Sequence, residues 1–119
     1  MDNSTENGTR LRVYVAGPIN GYPDGNREAF AKRALQLTEL GFEPVNPWNV
    51  GAEHDQGPCV GGPAYNTESP HQYGCYLRED IKVLMYCDGI TLLRGWQDSR
   101  GASAEEHVAR ALGLQVIHL

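Results

Sequence analysis

The chain is 119 residues long, enough for one domain, and its 40% apolar and 21% charged usage excludes a disordered, collagen-like or coiled-coil protein. A net charge of −5, with no run of Lys or Arg, disfavours a nucleic-acid duplex as partner. No apolar stretch approaches the roughly 18 residues that cross a bilayer, the first ten residues carry no secretory signal, and three widely spaced cysteines read as reduced thiols, so no membrane partner and a cytoplasmic location are expected.

Residues 1–10 are polar and read as a loose tail, leaving residues 11–119 as a single domain. Leu11-Arg12-Val13-Tyr14-Val15-Ala16 is a β-rich run stopped by Gly17-Pro18, the first strand. Asn26 is placed to cap a helix in which Phe30, Ala34 and Leu37 recur at helical spacing, and Gly41 closes it in the left-handed position. Residues 42–45 form a second strand ending at Asn46-Pro47. From Asn46 to about Gln72 prolines and glycines recur without any apolar period, which predicts a long loop bordering the site. Leu77, Ile81, Leu84 and Met85 mark a second helix, residues 89–93 a buried strand, Ala104, Val108, Ala111 and Leu112 a third helix ended by Gly113, and residues 114–119 a last strand.

Strands alternating with helices predict an α/β fold, a Rossmann-like (flavodoxin-like) doubly wound, mainly parallel sheet of four to five strands. Ligands of such sheets bind outside the carboxyl ends of the strands. That rule selects the segment from Gly17 through Pro18 and Ile19 to Gly25, the segment from Asn46 onward, and residues 94–103.

Within Ser103-Ala104-Glu105-Glu106, Ser103 and Glu106 form a capping box, which leaves Glu105 free for chemistry or as a solvated acid favoured by the helix dipole. Its partner is Asp80, because paired carboxylates break glycosidic bonds; the plainer alternative pairs Asp80 with Arg78 or Lys82. Tyr14 belongs either to the core or to the site edge, and Trp96, in a polar turn, suits stacking on a planar base. His54, Cys59, His71 and Cys75 are ligand types for zinc, but their spacing contains no Cys-x2-Cys knuckle. Gly17-Pro18-Ile19-Asn20-Gly21 has neither the dinucleotide fingerprint nor a Walker Gly-Lys-Ser/Thr, so ATP and NAD are not implied.

Tyr14-Val15-Ala16-Gly17-Pro18-Ile19, then Tyr76 to Asp80 followed by Cys87-Asp88, then Gly95-Trp96 with Ser99-Arg100-Gly101-Ala102-Ser103-Ala104-Glu105, taken together and in order, resemble the nucleoside 2-deoxyribosyltransferase superfamily. The look is closest to its small branch common in phage genomes, related to deoxynucleoside 5′-monophosphate N-glycosidases. The resemblance implies that Glu105, followed by Ala109 and Gly113 at the superfamily's spacing, attacks C1′ of the sugar. It likewise implies that Asp80 assists departure of the base and that Tyr14 orients the nucleophile. Ser99, with Arg100 and Gly101 beside it, stands where relatives acting on 5′-monophosphates hold the phosphate. A small-molecule nucleotide or nucleoside as substrate, no metal or organic cofactor, and a homo-oligomer follow as further expectations. A retaining mechanism then sets the two carboxyl groups roughly 5 to 5.5 Å apart, where repulsion keeps the proton on Asp80 while Glu105 is ionised. The rival is a catalytically silent nucleotide-binding module that kept the pocket and lost turnover.

Overall fold

A computed structural model describes residues 10–50 and 73–119. Alternation along β1 (Arg12–Ala16) divides the interior in two, because successive side chains of a strand leave on opposite faces. Val13 and Val15 pack with Phe30, Leu37 and Leu93, whereas Tyr14 and Ala16 pack with Leu84, Ile90, Ala102 and Ala109. The first set lies under α1 (Arg27–Glu39), and the second under α2 (Tyr73–Leu84) and α3 (Arg100–Ala111). Helices thus cover both faces of one sheet. Complete burial of Phe30 makes truncation to alanine a loss of about 3–5 kcal/mol.

The sheet is all parallel, in the order β2-β1-β3-β4, with β2 at Glu43–Val45, β3 at Gly89–Leu92 and β4 at Gln115–Val116. This is the doubly wound fold expected, with four strands among the described residues. β1 is central: Tyr14 pairs with Val45 on one side and Ile90 on the other. The chain leaves β1 toward β2 and later returns to β3, so the topological switch lies between β1 and β3, where a ligand crevice opens. Gly41 and Gly113 take the left-handed conformations expected after α1 and α3. No helix among the described residues is long and apolar enough to cross a membrane.

Local details differ from expectation in four places. Asn26 precedes α1 but does not cap it: a cap needs extended backbone, whereas Asn26 has φ 62° and its Nδ2 donates to the Pro18 carbonyl at 3.0 Å. The expected long loop begins instead with a helical turn over residues 47–50, in which Asn46 Oδ1 accepts from the Trp48 amide at 3.0 Å and proline occupies the first position. Residues 51–72 of that segment lie outside the described residues. The last strand is only two residues, Gln115–Val116.

The fourth difference concerns α3, where Ala111 and Leu112, expected on the apolar face, are exposed. Its cap is Ser99, whose Oγ accepts from the Ala102 amide at 3.1 Å, so the helix starts before the expected capping box. Ser103 is therefore already inside the first turn, and its hydroxyl donates back to the carbonyls of Trp96 (3.3 Å) and Gln97 (3.2 Å). Glu106 pairs with Arg110 one turn on rather than with an amide at the helix start.

Candidate active site

Ala102, Glu105 and Ala109 fall at the three- and four-residue steps that line one helix face, and all three are buried. The two alanines keep α3 close to the sheet, and Glu105 is carried inward between them, 5% exposed. Tyr14 leaves β1 toward the same face and is fully buried. The two meet: the Tyr14 hydroxyl donates to Glu105 Oε2 at 2.5 Å. Asp80, on α2, lines the same cavity as Glu105. The fold thereby brings together the three residues on which catalysis was expected to rest.

Burial governs how these groups titrate. Glu105 is pushed up to about 8, first by loss of water; Asp80 adds to the rise and the Tyr14 hydrogen bond opposes it. Asp80 is pushed up to about 7, again first by burial and then by the neighbouring Glu79 charge, with Tyr14 opposing. Tyr14 itself is held well above its ordinary value by burial and by the charges of Glu105 and Asp80. Asp80 thus holds its proton to a higher pH than a free aspartate, as expected, but desolvation rather than mutual repulsion is the first cause, and it raises Glu105 as well.

The cavity, ≈ 1290 Å³, is ample for a nucleotide-sized ligand. It opens beyond the carboxyl ends of β1 and β3, with Gly17, Pro18 and Ile19 on one lip and Ser99, Arg100 and Gly101 on the other. Asn46 lines it from the end of β2. Ser99 to Ala102 put the first turn of α3 on the wall, where free amides and the helix dipole favour an anion. Arg27 and Arg100 are the arginines among the lining residues.

Trp96 stands apart from its expected role. It packs, half-buried, against the core cluster of Tyr14 and Ile90 and is not part of the cavity wall. The aromatic side chains that do line the wall include Tyr22, Trp48 and Tyr76, none singled out as a site residue from the sequence although each lies in a segment it marks. Trp48 lies under the Arg27 guanidinium, 4.2 Å from the ring centroid. A signal existed for Trp48: it follows Asn46-Pro47, a cap and first-position pair that starts a helix at the sheet's ligand edge.

Among the described residues no three His, Cys, Asp or Glu side chains are arranged to hold a metal ion. Of the possible zinc ligands, His54, Cys59, His71 and the side chain of Cys75 lie outside the described residues. Cys87 is a free buried thiol, pushed up to about 11 by burial.

The chain belongs to the family described as "Domain of unknown function (DUF4406)", whose match covers residues 11–118. No curated protein matches it.

Proposed function

We propose that this member of the family is an N-glycosidase or 2-deoxyribosyltransferase acting on a deoxynucleoside 5′-monophosphate or nucleoside. The observation that carries the reading is the Tyr14 hydroxyl on Glu105 Oε2 at 2.5 Å, with Asp80 acting on the same buried carboxyl group. A buried carboxyl that accepts a charge-assisted hydrogen bond on one oxygen keeps the other oriented for attack. Glu105 Oε1 forms a bond to C1′ as the bond from C1′ to the base nitrogen breaks, and the leaving base takes its proton from Asp80. Water then cleaves the glycosyl ester in a hydrolase; a second base does so in a transferase.

Further support comes from the first turn of α3. From Ser99 to Glu105 the helix rises roughly 9 Å, the span of a deoxyribose 5′-phosphate with a contact at each end. Helix amides, Ser99 and Arg100 line the end that would take the phosphate. Ser99 shares its oxygen with the Ala102 amide, so its hydroxyl proton remains to donate to an anion.

The reading is tested by incubating the protein with common and modified deoxynucleotides and deoxynucleosides and resolving the products by chromatography. Free base is expected, and Glu105→Gln abolishes it because an amide cannot form the glycosyl ester. Excess acceptor base distinguishes transfer from hydrolysis. The silent-binder reading draws on a specific observation, the elevation of Glu105 to about 8, which leaves little nucleophile at neutral pH. Nucleotide binding without base release at pH 8 and above would favour it.

A further inference from the structure

Tyr22 stands on the loop between β1 and α1, 42% exposed, and lines the cavity. It reaches across the mouth to the loop between β3 and α3: a Cβ on Gly95 would stand 2.5 Å from the Tyr22 hydroxyl oxygen. A side chain at position 95 would push the exposed tip of the ring aside, and glycine also accepts the φ of +88° found there. Among the described residues the hydroxyl has no hydrogen-bond partner.

The chain just after Tyr22 is strained. Asp24, Gly25 and Asn26 take successive left-handed conformations at φ 50°, 62° and 62°, and two of the three are not glycine. Packing holds them there. Asn26 Nδ2 ties the turn to the Pro18 carbonyl at 3.0 Å, and Trp48 lies so close that a Cβ on Gly25 would stand 2.6 Å from its ring.

We propose that Tyr22 is a specificity residue, its ring closing over the sugar-phosphate end of a bound nucleotide and its hydroxyl donating to the 5′-phosphate. This rests on the nucleotide-binding part of the reading above. The direction follows from connectivity: Gly95 and Ser99 flank the short 3-10 turn Trp96–Asp98, so the hydroxyl points at the loop that leads into the α3 amides. A neutral hydroxyl at that end can donate to a phosphate oxygen, where a carboxylate would repel it.

Nitration by tetranitromethane, mapped by peptide mass spectrometry, reads Tyr22 directly, with the 72% exposed Tyr86 as internal control. The probes are the four common 2′-deoxynucleoside 5′-monophosphates and, in parallel, the matching deoxynucleosides. The monophosphates are expected to slow nitration of Tyr22 several-fold and the nucleosides less, with Tyr86 unchanged. In turnover, Tyr22→Phe raises KM for the monophosphate roughly 10-fold, leaving kcat and the nucleoside KM near those of the parent. Base release without protection of Tyr22 overturns this proposal and leaves the glycosidase reading standing. Protection without base release does the reverse. Neither protection nor release overturns both.

Discussion

The Tyr14 hydroxyl reaches Glu105 Oε2 across 91 positions of sequence, joining the central strand to the third helix inside the core. It is the internal donor opposing the burial of that carboxyl group, and it favours ionised Asp80 as well. Removing it shifts both carboxyl groups further up. For Tyr14→Phe, both limbs of the pH profile of kcat/KM should therefore move to higher pH, with a loss at pH 7 of roughly 10-fold or more. Unmoved limbs would separate Tyr14 from the nucleophile.

The parent profile is itself a test. Attack requires Glu105 ionised and Asp80 protonated, and burial raises both, to about 8 and about 7, so the pair shares one proton across this range. A narrow optimum between about pH 7 and 8 is expected. A plateau extending down to pH 5 would contradict this.

The same elevation makes the site a cost to folding. Unfolded Glu105 and Asp80 ionise in the ordinary carboxylate range, whereas the folded protein keeps both protons to about 8 and about 7. Between those limits the unfolded state binds fewer protons, so stability falls as pH rises from about 4 and levels off above about 8. Glu105→Gln removes one such group. It should raise stability at pH 7.5 by roughly 1 kcal/mol or more, since each unit of elevation corresponds to about 1.4 kcal/mol. Thermal melts at pH 4.5 and 7.5 read the difference, which should nearly vanish at the lower pH.

Two serines on the same stretch should behave differently. Ser99→Ala removes the cap of α3 and should cost about 1 kcal/mol, together with affinity for monophosphates. Ser103→Ala loses only back-bonds to carbonyls already near the helix start. Glu106→Gln weakens the pairing of the largely covered Glu106 with the exposed Arg110 and should cost on the order of 1 kcal/mol or less. Denaturant midpoints and KM for the 5′-monophosphate decide each case.

Where periodicity was strong, as in β1, the strand could be named from the sequence. On α3 the apolar spacing of Ala104, Val108, Ala111 and Leu112 pointed to the wrong stripe, because the face that packs on the sheet carries two small alanines and a carboxylate, Ala102, Ala109 and Glu105. Glu105 stood out from Glu106 only through the family spacing. The cap of α3 was misread because Ser99 and Ser103 both precede helix-forming residues by the right interval. Only the backbone at Ser99, extended at φ −98° and ψ 119°, decides which one accepts the amide. Trp96 was read as a stacking residue from its polar neighbours, yet tertiary packing draws it onto the core; Trp96→Ala should lower stability by about 1–3 kcal/mol and leave KM unchanged. Tyr22 carried no periodic signal at all, since it stands on a loop, beside left-handed residues and opposite Gly95.

The central position of β1 divides the site by timescale of opening. Val13 and Tyr14 are flanked by ladders on both sides, so their backbone amides belong to the last structure to open and exchange with solvent, close to the global unfolding limit. The lips formed by residues 17–26 and 94–99 have no such double anchorage. The cavity can therefore breathe and admit solvent on fast local fluctuations, while the tyrosine that tunes the buried acid stays fixed until the whole domain unfolds.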